Sequence, residues 1–235
     1  FLDATISYAG TNRIQDEEDR YGLFPAIGGS WAIGRESFMS NADFINSLRL
    51  SASHGKVGNG LITMQDLTHA KYGWVYGIIL GHNYSGSGGM DQTQLPIETK
   101  KFESSVESNV GLDARLFERL SFHGELFYTK RNDILVPSTG QYSEIIGLLP
   151  EQTPEGEVKN QGYELNLTWS KETGDFTYYI SGTFSQYKNE IININEEYRP
   201  YDYNKREGES VGQHFGWESA GFYSSENDIE NSATT

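Results

Sequence analysis

The residues best suited to holding a ligand are Tyr72, Trp74, Tyr76 and Tyr84, four aromatic side chains gathered in one irregular stretch. A flat ring buries a large area at little conformational cost, so these residues offer faces for sugar rings or pack a loop against its neighbours. A second set, Arg115, Glu125, Glu164, Asn166 and Thr177, is polar and falls at alternate positions of otherwise apolar runs. Side chains spaced by two share one face of a strand, where they would line a hydrated lumen. Patterns for catalysis are poorer. The histidines His54, His69, His82, His123 and His214 contain no HExxH and no helical i, i+4 pair. Gly86-Ser87-Gly88-Gly89 lacks the Lys-Ser/Thr of a phosphate loop and reads as a flexible turn. Acidic residues are so numerous that any carboxylate pair chosen for glycoside hydrolysis would be arbitrary. The expectation is a binding or transport surface, not an enzyme, with no catalytic residue, metal site or cofactor.

Composition limits the scaffolds that can position these groups. Hydrophobic residues make up only 36% of the chain, aromatic residues 13%, and there are 26 glycines. Few aliphatics with many aromatics and glycines fit β architecture better than a helical bundle or an α/β core. No window approaches 18 consecutive apolar residues, which excludes a transmembrane helix but not a barrel, whose strands are half polar. A formal net charge of −15 argues against nucleic acid as a partner. The acid clusters at Asp16–Asp19, Glu151–Glu157, Glu196–Glu197 and Glu226–Glu230 read as solvated loops; none has the ligand spacing of an EF-hand. Cysteine is absent, removing disulfides and thiolate chemistry. Both ends look cut from a longer polypeptide.

Alternation with a period of two sets the strands. In Gly162–Trp169, Tyr163, Leu165, Leu167 and Trp169 oppose Glu164, Asn166 and Thr168. The same rhythm covers Leu2–Tyr8, Leu23–Trp31, Leu48–Ser53, Val110–Leu116, Leu120–Thr129 and Phe176–Ser185, and Phe215–Tyr223 is expected to begin one more strand. Short joins at 117–119 and 171–175, and a helical turn within Arg35–Asn46, alternate with long joins at about 10–21, 59–103, 131–158 and 193–212. Short turns on one side and long loops on the other are the habit of outer-membrane barrels. Parity then makes 59–103 one excursion, with Tyr72–Leu80 pairing outside the membrane or crossing irregularly. Tyr128, Tyr163, Trp169, Phe176 and Tyr178 fall near strand ends, where aromatic girdles would lie. The expected class is all-β: about eight spanning strands of an antiparallel transmembrane barrel with long extracellular loops.

Several segments resemble the barrel of SusC-like TonB-dependent transporters. They are Tyr21-Gly-Leu-Phe-Pro-Ala-Ile-Gly-Gly-Ser-Trp31 with Glu36-Ser-Phe-Met39, Ile45–Asn59, Glu107–Phe117, Tyr128–Leu135, Asn160–Leu165, and Gly212–Trp217 with Gly221-Phe-Tyr223. Their colinear order makes the set more specific than any one motif. The resemblance implies that residues 1–235 are part of the later half of a probably 22-stranded barrel, with plug, TonB-interacting segment and final strands elsewhere. It also implies a place in the outer membrane of Bacteroidetes-type bacteria and import of oligosaccharides, glycans or peptides. The implied partners are a SusD-like surface lipoprotein and the TonB–ExbB–ExbD complex. On that reading Arg115, Glu125 and Glu164 bond to a plug or touch substrate, and the loop aromatics meet substrate or the lipoprotein lid. Two other readings stay open: a soluble, secreted carbohydrate-binding β-sandwich, and an outer-membrane barrel enzyme. A piece of this kind is expected not to fold alone, because it would leave two strand edges unpaired.

Overall fold

Each alternating run is a strand of one antiparallel sheet. The structure, a computed structural model, describes residues 1–11, 14, 17–60, 101–138, 145, 152–219 and 221–230, and the backbone alone at 71–75, 78–79, 82–83 and 89–94. Strands β1 (Leu2–Gly10), β2 (Tyr21–Trp31) and β3 (Ile45–Asn59) come first, with two 3₁₀ turns, Ile33–Arg35 and Ser37–Met39, between β2 and β3. Four short strands follow: β4 (Lys71–Val75), β5 (Ile78–Ile79), β6 (His82–Asn83) and β7 (Gly89–Gln94). Then come β8 (Glu103–Leu116), β9 (Leu120–Pro137), β10 (Gln152–Thr173) and β11 (Phe176–Asn193), and a short helix α1 (Glu226–Glu230).

The main sheet has seven strands in the order β1-β2-β3-β8-β9-β10-β11, every neighbour antiparallel. Among the described residues of the excursion between β3 and β8 there are two separate ladders, β4 with β7 and β5 with β6, neither joined to the main sheet. The expected side-by-side parity therefore holds. The expected strand from Phe215 to Tyr223 does not form among the described residues. A strand needs a ladder partner for its backbone, and that segment is not paired along β11.

The turns on the short side are specified locally. Phe117 and Glu118 take positive φ, 54° and 59°, between Leu116 and its partner Leu120. This conformation is costly for residues with a Cβ. It is held by the Phe117 amide donating to Phe44 O at 2.8 Å, the Glu118 amide donating to Asn46 Oδ1 at 2.6 Å, and Phe117 stacking on Phe44 at 5.6 Å. At the next turn Gly174 supplies φ +62°, so Thr173 and Phe176 pair directly.

Faces follow from register. On one face run Leu50, Leu112, Gly124, Leu165 and Phe184, each the cross-strand partner of the next, with Trp31 opposite Leu50. On the other run Arg49, Asp113, His123, Asn166 and Thr183. The apolar face is bare: Leu126 is 61% exposed, Ile180 70% and Ile6 72%. Among the described residues only Ile14 and Val136 are buried apolar side chains. The chain exposes 17512 Å², where a compact monomer of this size exposes about 11,000 Å². Such a wall is stable only against an apolar medium or a covering layer.

The apolar band runs along the rungs from β3 to β10: Ile45, Leu116, Leu120 and Trp169 share a lower rung, and Ala52, Val110, Leu126 and Tyr163 share an upper one. On β11 it starts lower, at Phe176, and on β2 it starts higher, at Trp31.

The strands run beyond this band. The alternation suggests loops from 131 and up to 158, yet β9 continues to Pro137 and β10 begins at Gln152. That extension is mostly half-buried, with Val136 buried, and carries no strict apolar alternation, so its ladder persists where the apolar period disappears.

Candidate functional site

The polar face is a grid of side chains fixed by the same register. Arg115 shares a rung with Ser47, Ser121, Thr168 and Ser181. One rung up are Arg49, Asp113, His123, Asn166 and Thr183; the next holds Ser51, Gly111, Glu125, Glu164 and Ser185. The expected lumen residues Arg115, Glu125 and Glu164 are therefore brought to one surface. Glu125 and Glu164 are direct cross-strand partners, while Arg115 stands two rungs away.

Hydrogen bonds knit neighbouring strands across the grid. His123 Nδ1 lies 2.8 Å from Asp113 Oδ1, and its Nε2 is 3.8 Å from Glu125 Oε2. Thr168 Oγ1 and Ser181 Oγ are 2.8 Å apart, and Ser51 Oγ donates to Gly111 O at 3.3 Å. Near the top of the wall Arg131 pairs with Glu103. Hydroxyls, an amide, an imidazole and carboxylates on one wetted surface can exchange hydrogen bonds with a polar solute or a polar protein segment. Nothing in the grid pairs a nucleophile with an oriented base.

Among the described residues several grooves are cut into this face, and two of them hold expected lumen residues. One of about 460 Å³ runs past Asp3, Arg49, Asn109, His123 and Glu125. The other, about 500 Å³, lies at the turn end among Asn46, Arg115, Glu118, Lys171, Glu172 and Thr177. Glu125 and Arg115 thus sit in different grooves. Of the aromatic set, Tyr72 and Trp74 are on β4, opposite Gln92 and Met90 of β7. Tyr76 and Tyr84 lie outside the described residues.

The sequence reading missed two features on the long-loop side. Glu196 gathers the segment after β11: its carboxylate accepts from the amides of Arg206, at 2.8 and 2.9 Å, and Glu207, at 3.1 Å, and pairs with Arg199 Nε at 2.7 Å. Partial burial pushes this carboxyl up, but those donors outweigh it and hold it below the ordinary glutamate value. The loop so tied presents Tyr201 and Tyr203 stacked at 5.3 Å, both exposed. No periodicity marks such a loop. Its acid cluster and three nearby tyrosines were visible, but the pairing of Glu196 with backbone ten residues away was not.

Comparison with known proteins points the same way. No family model matches the chain. It is 28% identical over 232 residues to TonB-dependent receptor P3 of Formosa agariphila, a match covering 93% of this chain and 23% of that protein. With TonB-dependent receptor P39 of the same organism it shares 29% over 233 residues, covering 94% of this chain and 21% of that protein. The fold superposes on the RagAB peptide importer in its closed-closed state with a TM-score of 0.70 at 22% identity, over 88% of this chain and 23% of that one. The open-open state gives 0.66 at 22% identity, over 82% and 20%. The chain is similar, along nearly its whole length, to one segment of TonB-dependent receptors, and its fold is that of a wall segment of a transport barrel of the RagAB kind. It spans between a fifth and a quarter of the length of these two receptors. In a barrel of this fold the bare apolar band faces lipid and the polar grid lines the lumen.

Proposed function

We propose that this segment is lumen wall and outer loop of an active importer that takes up oligosaccharides, glycans or peptides across the outer membrane. The observation that carries the reading is the exposed apolar band on one face of the sheet with a polar grid on the other. That pattern suits a tilted strand between lipid and a hydrated passage. The wall moves no bonds in its cargo; Arg115, Glu125 and Glu164 hydrogen-bond a plug or the passing solute. A SusD-like lipoprotein caps the long-loop side, and a plug and TonB-contacting segment in the rest of the whole protein couple uptake to TonB–ExbB–ExbD. The pairing named in RagAB and its description as a peptide importer support a two-component system and keep peptides among the cargoes.

The test is uptake of labelled oligosaccharides and peptides by cells carrying the whole gene, a deletion, or a TonB deletion. Uptake of one class that vanishes in both deletions is expected. Uptake unchanged in the gene deletion contradicts the proposal, as does a product that stays monodisperse without detergent, which would favour the soluble sandwich. Turnover of a lipid or glycan abolished by one lumen substitution would favour a barrel enzyme.

A further inference from the structure

The upper edge of the apolar band carries a strip of lysines on the outward face. Lys56 stands opposite Val106, Val106 opposite Lys130, and Lys130 opposite Lys159, all on one rung. Lys188 lies one rung lower on β11, opposite Gln161, where the apolar band also sits lower. On each of the four strands the lysine is one or two rungs beyond the last apolar outward residue: Ala52, Tyr128, Tyr163 and Phe184. Glu157 lies 2.8 Å from Lys130 Nζ and Glu190 lies 2.8 Å from Lys159 Nζ. The lysines outnumber these carboxylates by two, on a chain whose formal net charge is −15.

We propose that this strip binds phosphate groups of lipid heads in the outer leaflet, setting the height of the barrel wall in the membrane. The inference rests on the membrane-barrel reading with the long connections outside. Three physical points support it. A lysine one or two rungs above the apolar edge reaches the interface with its stem on apolar surface and its ammonium in the head groups. Lys130 and Lys159 face each other directly, an unfavourable like-charge arrangement that a multivalent anion between them relieves. Their pairs with Glu157 and Glu190 are partly exposed and of the kind worth little, so each ammonium can trade or share its partner with a phosphate.

The experiment is native mass spectrometry of the full-length receptor in detergent, titrated with lipid A, with dephosphorylated lipid A and with inorganic phosphate. Lipid A should be retained, and loss of its phosphates should weaken retention by about tenfold or more, as removal of several lysine–head-group attractions implies. The variant K56Q/K130Q/K159Q/K188Q should show a similar loss while keeping its heat-stable barrel, and the corresponding Lys→Arg variant should restore retention. Equal retention of both lipids, or by the Gln variant, overturns the proposal. So does inorganic phosphate competing fully at millimolar concentration, which would mark an ordinary anion site. Unchanged retention with normal uptake sinks this inference alone; wild-type receptor absent from outer-membrane fractions sinks the transport reading.

Discussion

Glu125 and Glu164 face each other across β9 and β10 as direct cross-strand partners on the lumen wall. Two like charges so placed repel, and the pair forms an acidic point flanked by His123, 3.8 Å from the Glu125 carboxylate. Such a site suits a cationic or hydroxyl-bearing group in the passage, at a modest cost in stability. Glu164→Gln should raise barrel stability by about 0.2–1 kcal/mol, read from urea unfolding of the reconstituted full-length receptor. A loss of stability on this substitution would mean that Glu164 holds a partner worth more than the repulsion.

Gly162 is required by close approach. A Cβ built there would lie 2.4 Å from Gln186 O and 2.8 Å from both Tyr187 Cα and Phe127 Cζ. The first two contacts are backbone and cannot swing aside. Gly162→Val should therefore destabilise the wall by about 1–3 kcal/mol through overpacking. Gly182→Val, where nothing lies within 4 Å, should cost far less in the same unfolding assay.

Period-two alternation was enough to place the seven wall strands and their parity, because lipid on one side imposes apolar residues at every second position. It failed where lipid stops. The upper parts of β9 and β10 lack strict apolar alternation, so Arg131 to Pro137 and Gln152 to Lys159 read as loop although they ladder. Sequence also placed Arg115, Glu125 and Glu164 on one face, but not side by side or apart. Adjacency depends on register, which is fixed by the Phe117–Arg119 and Gly174–Asp175 turns. For the same reason the Asp113–His123 contact and the lysine strip stayed hidden. Phe215–Tyr223 has strand-like residues but no ladder partner.

Acidification should loosen the segment that Glu196 ties down. Its carboxyl titrates below the ordinary value in the folded chain because the amides of Arg206 and Glu207 and the Arg199 guanidinium outweigh its burial. A depressed folded value means the stabilisation is fully present above the unfolded glutamate value near 4.3 and is lost as pH falls through the folded one. Hydrogen exchange at the Arg206 and Glu207 amides, corrected for intrinsic rate, should be protected at pH 6 and lose protection as pH falls through the depressed folded value. In Glu196→Gln that pH dependence should disappear. Equal pH dependence in the variant would assign the transition to another group.

Leu165 lies in the middle of the apolar band and Asn166 on the lumen face beside it. Leu165→Arg should cost about 2–4 kcal/mol, the cost of a cation at the bilayer midplane, whereas Asn166→Arg should change stability by under about 1 kcal/mol. Folding yield into lipid vesicles with the full-length receptor measures both. Equal penalties would place lipid on neither face or on both.

The most direct test of the account is a cysteine scan of Tyr163 to Trp169 in the full-length receptor in native outer membranes, made convenient because this stretch of the protein contributes no cysteine of its own. A nitroxide attached at each position reports access to oxygen, which concentrates in lipid, and to a water-soluble nickel chelate. The account predicts strict alternation: oxygen access at 163, 165, 167 and 169, and chelate access at 164, 166 and 168. Chelate access at all seven positions, or no period of two, would contradict it.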